Sequence, residues 1–356
     1  MAECLFAIPG DINLPTGGYA YDRRVLALIV ASGGTIRHLP LPGTFPDPGA
    51  ADLAETERAL AGVDPRNVLL IDGLAYGALS PDLVRRIAAP IVALVHHPLG
   101  LESGLTEARR DVLLQNERVA LAHARHVIVT SPTTARILSQ DFAVAPARIT
   151  VAEPGVDRAP RARGSGGKVV RLLAVGSVVP RKGYDVLLAA LAALRPLAWD
   201  LTIAGSLDRS PETVAALRSQ ISRLGLDGRV TLAGAVDDAA LAGLYHRSDL
   251  FVLASHFEGY GMVLAEALAR GLPIVTTTGG AAGDTVPDAA AQKVMPGSPR
   301  ALMWVLGRVI QEPALRAGLA DAAWAAAGAL PRWETTAATI AGVIRSVCAS
   351  RSELRT

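Results

Sequence analysis

The stretch "DLFVLASHFEGYGMVLAEALARGLPIVTTT", residues 249–278, decides the fold. "DLFVLA" and "PIVTTT" are short apolar runs bounded by turn residues and read as strands, while "GMVLAEALA" between them reads as a helix. Strand, helix and strand joined by short loops are the unit of a parallel sheet, whose strands are buried on both faces and so nearly all apolar. Two carboxylates interrupt the pattern. Glu258 stands in the Gly-rich loop, and Glu266 sits among Val263, Leu264, Ala265, Ala267 and Leu268. A carboxylate there must find hydroxyl or amide partners or bear a large burial cost. A pair of vicinal hydroxyls, as on a ribose, would answer for Glu266, and hydroxyls of a second sugar for Glu258. The plainer alternative puts Glu266 on the solvated edge of its helix. The N–H groups of Tyr260, Gly261, Met262 and Val263 are expected at the helix start, facing an anion.

Working outward, the same alternation fills the chain. "CLFAIP", "GYAYDRRVLALIVASGG", "NVLLID", "PDLVRRIAA", "PIVALVHHP", "EARRDVLLQNERVALAHA", "HVIVTS" and "PTTARILSQDF" alternate strand and helix in the first half. "EPGVDRAPRARGSGGK", residues 153–168, is rich in Pro, Gly and Arg and reads as a linker. The alternation restarts at "VVRLLAVGS" and runs past the opening stretch. We therefore expect an N-terminal Rossmann-like domain over 1–158, a second over 169–330, and a surplus helix over 331–350 that starts with Pro331. Ligands in such sheets bind at strand C-terminal ends, here in a cleft between the two halves.

Bulk properties agree. A chain of 356 residues suggests two domains of roughly 150 residues each. Half the residues are hydrophobic, yet the apolar runs are well short of the roughly 18 residues that span a bilayer. A net charge of +2 implies no nucleic-acid field. Cys4 and Cys348 lie at opposite ends, which argues against a metal cluster and for a reducing compartment. Glu3 and the lack of a basic leader argue against a signal peptide, so a cytoplasmic protein is expected.

Other chemistry-bearing residues fall at strand ends. "AVGSVVPRKGYD" ends a strand at Gly176 and sets Arg181 and Lys182 before a helix, where two cations could neutralise a diphosphate; a solvated turn is the bland alternative. "LPTGGYAYDRR" puts Gly17 and Gly18 at a helix start, open to a phosphate or hydroxyl, or simply a turn. "IVALVHHPLG" ends a strand with His96 and His97, one of which must point away because strand side chains alternate; His96 is preferred. Arg85–Arg86 and Arg109–Arg110 read as solvated helix faces, with contact to an anionic membrane as the weaker alternative.

Together "GSVVPRKGYDVLLAAL", "LTIAGS", "RVTLAGAVDDAALAGLYHRSDLFVLASHFEGYGMVLAEALARGLPIVTTTGG" and, in the first half, "HVIVTSPTTARIL" with "RITVAEPGVD" resemble the retaining, nucleotide-sugar-dependent family 4 glycosyltransferases of GT-B fold. The likeness runs through most of 1–350, and E-x7-E combined with R-K-G carries it. It implies that Glu266 holds the nucleotide ribose, Glu258 the donor sugar, and Arg181 and Lys182 the diphosphate. Ala235 and Val236 would frame the base, His96 would sit beside the transferred sugar, Gly17 and Gly18 between donor phosphate and acceptor, and the helix at 331–349 would brace the first domain. The donor would be a UDP-sugar first, with GDP- or ADP-sugar as alternatives. The acceptor would be a small molecule, a glycan or a lipid-linked sugar, chosen by loops 9–19, 40–52 and 96–106, of which 40–52 reads as a mobile rim. Two departures stand out: Ser177 replaces an Arg common after the strand-end Gly, and His97 replaces the usual Asp or Thr after the His. No D-x-D occurs, so no metal or other cofactor is expected. An epimerase of the same fold and a non-catalytic sugar-nucleotide sensor are the rival readings.

Overall fold

A computed structural model describes residues 3–353. It holds two six-stranded sheets, and every strand pair in them is parallel. The chain divides into two compact units, Met1–Gly155 with Pro331–Thr356, and Val156–Leu330.

In the first unit β1 (Cys4–Pro9), β2 (Ile36–Leu41), β3 (Val68–Asp72), β4 (Ile91–Val95), β5 (His126–Val129) and β6 (Ile149–Val151) lie in the order β2-β1-β3-β4-β5-β6. "VLLID" and "IVALV" are buried at every position, as a central parallel strand covered by helices on both faces requires. The order reverses between β1 and β3, which opens a crevice at their C-terminal ends. Asp72 ends β3, the helix Gly17–Ala31 follows β1, and His96 follows β4, so this crevice collects all three. The closing helix Trp333–Glu353 belongs to this unit. Trp333 meets the Tyr21 ring edge-on at 5.7 Å, and Arg24 lies over the Trp333 ring at 5.9 Å.

In the second unit β7 (Val170–Val175), β8 (Trp199–Ala204), β9 (Val230–Gly234), β10 (Leu250–Leu253), β11 (Ile274–Thr277) and β12 (Ala291–Val294) are ordered β12-β11-β10-β7-β8-β9. The reversal now falls between β7 and β10, the strands that lead to Arg181–Lys182 and to Glu258. Phe251, Leu253, Leu264 and Leu268 from the opening stretch are all buried in one cluster, so the strand and helix read there are fixed by the same core.

The structure adds detail to three expectations. The stretch 153–168 has no regular secondary structure over 152–166, yet it is not loose. Ala162 N donates to Arg270 O, Arg163 N to His246 O and Ser165 N to Asp249 Oδ1, so this part is strapped to the second unit. A Cβ on Gly155 would stand 2.1 Å from Trp333 N, which leaves room for glycine alone. Loop 40–52 is anchored too: Phe45 is buried in the first core, Arg109 donates to Pro46 O at 2.7 Å and pairs with Asp47 at 2.6 Å. With Arg85 paired to Asp82, and Arg86 to Glu57, three of the four arginines weighed for a membrane face have carboxylate partners. No helix among the described residues is long and apolar enough to cross a membrane.

Candidate active site

The second unit builds an ion-pair network at its sheet reversal. β7 ends at Val175, and Pro180–Lys182 forms one 3-10 turn closed by Gly183 at φ 60°. A Cβ there would lie 2.3 Å from Ala254 O, so glycine is demanded both by backbone conformation and by space. This contact sets the Arg181–Lys182 turn directly against the end of β10. From the loop after β10, Glu258 comes to the same place and is 6% exposed.

Lys182 Nζ donates to Glu258 Oε1 at 2.7 Å, and Ser255 Oγ donates to the same oxygen at 2.5 Å. Arg181 Nη1 lies 3.4 Å from Oε2 and donates to Phe257 O at 2.7 Å. Burial alone would raise the Glu258 carboxyl, but the two cations and the bonds from Lys182 and Ser255 bring it down to about 2. The loop is locked through its backbone, since Glu258 N donates to Gly279 O and Glu258 O accepts from Ala281 N. Gly176 faces the same turn, its carbonyl accepting from Tyr184 OH at 2.8 Å.

Glu266 finds its partner in Tyr245, whose hydroxyl donates to Oε2 at 2.9 Å. Arg270 stacks over the Tyr245 ring at 4.5 Å and donates to Glu266 O. Burial still raises the Glu266 carboxyl, against the Tyr245 bond and Arg270. Tyr260 is buried, Met262 and Val263 are half-buried, and Gly261 caps the seven-residue helix Met262–Leu268. Ala235 is exposed and Val236 half-buried in the turn after β9. The residues read separately as sugar and phosphate groups thus form one constellation, Arg181–Lys182–Glu258, with Glu266 on the next helix.

The first unit has its own cluster. β4 stops at Val95, so both histidines stand in the turn beyond it, and they part company there. His96 Nε2 lies 3.4 Å from Asp22 Oδ1 and 3.6 Å from Asp72 Oδ2. His97 Nε2 lies 3.1 Å from Glu102 Oε2. Thr16 caps the helix Gly17–Ala31 by accepting from Tyr19 N, which puts Gly17 and Gly18 in its first turn. A Cβ on Gly18 would come within 3.6 Å of the His96 ring, so that turn and His96 are neighbours. Tyr21 meets His96 edge-on at 5.3 Å and donates to Ala152 O. Leu99 N donates to Glu117 Oε2 at 3.0 Å, which ties the loop after His97 to the helix Glu107–His123.

Sequence reasoning missed Asp22, Asp72, Ser255, Tyr245 and Glu117. The signal for Asp22 was present: it shares a helix stripe with the buried Val25 and Ile29, the same anomaly that singled out Glu266. Among the described residues, Asp22, Asp72 and His96 are also the grouping whose ligand-type atoms come within 4.8 Å of one another, close enough for a cation.

Comparison with known proteins follows both units. The family model described as "Glycosyl transferases group 1" matches residues 157–324, and "Glycosyltransferase Family 4" matches 34–159. An MMP alpha-(1->4)-mannosyltransferase of Mycolicibacterium hassiacum is 30% identical over 86% of this chain and 76% of its own length. A mannosylfructose-phosphate synthase of Agrobacterium fabrum is 33% identical over 47% of this chain, and the match spans only 40% of that relative. Among solved structures, a sucrose-phosphate synthase from Thermosynechococcus elongatus superposes with a TM-score of 0.81 at 21% identity, covering 98% of this chain and 100% of that one. Anabaena HepE, solved in complex with UDP-glucose, gives 0.76 at 19% identity, over 97% of this chain and 100% of that one. Two parallel-sheet units, the two family matches that meet near their boundary and the mannosyltransferase relative lead to one conclusion: the chain belongs to family 4 of the glycosyltransferases and has the GT-B fold.

Proposed function

We propose that this glycosyltransferase moves a sugar from a nucleoside-diphosphate sugar to a hydroxyl acceptor, with retention at the anomeric carbon and without a metal. The observation that carries the reading is the Lys182–Glu258–Arg181 network at the sheet reversal of the second unit. Two cations beside one carboxylate leave a net positive charge where an incoming diphosphate would be bound and its developing charge stabilised. Those cations, and a sequence without D-x-D, support a route in which protein groups do the phosphate work.

Glu258 stays ionised at any physiological pH and so serves as an acceptor for sugar hydroxyls. A carboxylate held by Lys182, Arg181 and Ser255 is a poor nucleophile, because its basicity is low, while Oε2, 3.4 Å from Arg181, is still open to accept from a hydroxyl. Retention then comes from the front face: as the glycosidic C–O bond breaks, the departing phosphate oxygen takes the acceptor proton while the acceptor oxygen bonds to the anomeric carbon. Glu266, oriented by Tyr245, would hold the ribose hydroxyls, and His96 would meet the transferred sugar. UDP is the first donor nucleotide to try, since Anabaena HepE was solved with UDP-glucose; GDP and ADP follow. Small-molecule, glycan and lipid-linked acceptors are all to be tried.

The test is to incubate the protein with UDP-, GDP- and ADP-sugars and an acceptor panel in EDTA, reading nucleoside diphosphate release and the anomeric configuration of the product by NMR. An α-linked product from an α-donor is expected. A β-linked product, a requirement for added divalent metal, or an epimerised donor without transfer would overturn the reading.

A further inference from the structure

We propose that Asp22 and Asp72 form a carboxyl–carboxylate pair sharing one proton, carried by Asp22, and that the pair holds His96 as an imidazolium, making it a cationic hydrogen-bond donor and not a base. What His96 touches rests on the transferase reading above; the protonation pattern is a property of the first unit by itself.

Asp22 is the deciding residue. It is wholly buried, neither of its oxygens has a hydrogen bond of good geometry, and its nearest potential donor is His96 Nε2, 3.4 Å from Oδ1. Neither does it pair with a lysine or arginine among the described residues. A buried carboxylate without donors is strongly disfavoured, whereas a carboxyl that carries its own proton becomes the donor that is missing. Asp72 is placed differently. His96 Nε2 is about equally far from both carboxyls, 3.6 Å from Asp72 Oδ2 and 3.4 Å from Asp22 Oδ1, but Asp72 Oδ1 also accepts from Leu74 N at 2.6 Å as a helix cap, so Asp72 is the better anion. Charge balance points the same way. Two carboxylates and an imidazolium leave one negative charge buried, and a single proton on Asp22 removes it.

The other contacts of His96 among the described residues are with neutral groups. Tyr21 stands edge-on with its hydroxyl committed to Ala152 O, Thr130 Oγ1 donates to the His96 carbonyl, and the first turn at Gly18 closes the near side. Behind Tyr21, Trp333 meets the Tyr21 ring edge-on and Arg24 lies over the Trp333 ring. Burial, then the charge of Asp72, pushes the Asp22 carboxyl up to about 8. Burial lowers His96, but the two aspartates overcome it and bring the imidazole up to about 10. With Nε2 turned to the aspartates, a neutral ring would offer Nδ1 as an acceptor, while the cation offers an N–H. A leaving phosphate or a ring hydroxyl beside His96 would meet a donor.

The experiment is 15N NMR of the imidazole rings across pH, on wild-type protein in EDTA and without donor. It reads the cluster whether or not the donor reading is right. His96 should have both nitrogens protonated at neutral pH and titrate near 10. Asp22→Asn, which imitates the neutral acid, should leave the imidazolium in place. The Asp22→Asn/Asp72→Asn double variant should drop the titration below the ordinary 6.5, because burial then acts alone. In the transfer assay the double variant should lose at least tenfold in kcat with little change in acceptor KM, and its rate should rise as pH falls. A wild-type His96 that is neutral at neutral pH would overturn the proposal. So would a single Asp22→Asn change that lowers the titration as far as the double one, a flat pH profile, or stoichiometric divalent metal in protein purified without chelator. Should the double variant not fold, the wild-type titration alone decides.

Discussion

Glu258 has a structural role in its ion-pair network, to which the proposed function adds the binding of sugar hydroxyls. Its pKa falls from an ordinary 4.5 to about 2, so the sign of its pH dependence is fixed. A depressed carboxyl contributes stability that is fully present above 4.5 and lost as pH falls through about 2. The linked contribution is on the order of 3 kcal/mol, since each tenfold change in proton affinity is worth about 1.4 kcal/mol. Denaturant titrations of wild type and Glu258→Gln should differ most above pH 5 and converge toward pH 2. Charge-assisted bonds to sugar hydroxyls are worth roughly 1.5–3 kcal/mol each, so the same variant should lose about 10- to 100-fold in turnover. Turnover equal to wild type would remove Glu258 from the site. Glu266 was legible because a lone carboxylate on an apolar helix demands a partner. Tyr245 was not, because the partner comes from a helix 21 residues earlier that only the fold brings near.

At the scale of elements, the strands of both sheets were largely legible, being short apolar runs between turns. The less apolar pieces were not. Ile36–Leu41 carries Arg37 and His38, and Ala291–Val294 carries Gln292 and Lys293, as edge strands with one neighbour can. Pro/Gly content marked the passage between the units at 153–168, where the chain has no regular structure, and misled at 40–52, where Phe45 and Pro46 are tied to the first unit. The R-K-G turn is the element on which the proposed donor site depends. Gly183→Ala would force a Cβ to within 2.3 Å of Ala254 O at φ 60°, and should destabilise the second unit by more than about 1 kcal/mol. It should also weaken donor binding, since Arg181 and Lys182 precede it. A variant with unchanged midpoint and unchanged donor affinity would contradict this role for the turn.

Glu117 gives the first unit an element-level signature of its own. It is buried, its Oε1 has no partner, and burial pushes its carboxyl up to about 8, against the bond from Leu99 N. A raised carboxyl contributes stability that is present below its unfolded value of 4.5 and lost as pH rises through about 8. Unfolding of wild type compared with Glu117→Gln should show the wild type losing ground from about pH 4.5 to about pH 8 and no further above that. Equal pH dependence would mean that Glu117 is not holding the 96–101 loop as a neutral acid.

For the whole molecule, the chain leaves its first unit at Gly155 and returns to it at Pro331. The surplus helix was legible as an element too many for the second unit, and Trp333 at its start shows what the return does. The side chain is 6% exposed and lies between Tyr21 and Arg24, beside the helix that carries Asp22. Trp333→Ala should cost about 3–5 kcal/mol, read as a lowered unfolding midpoint of the first unit, with donor affinity of the second unit retained. The His96 cluster stayed out of reach of the sequence because it is assembled from β3, β4 and the first helix, and no local pattern links 22, 72 and 96. The central claim is that the second unit binds a nucleoside-diphosphate sugar through protein groups. The most direct measurement is a thermal-shift series with UDP-, GDP- and ADP-sugars in EDTA, on wild type and Glu266→Ala. Stabilisation by about 2–3 kcal/mol at a hundredfold excess over Kd, with one nucleotide class only and lost in the variant, is the result predicted. No shift with any of the three, or a shift that appears only when metal is restored, would contradict it.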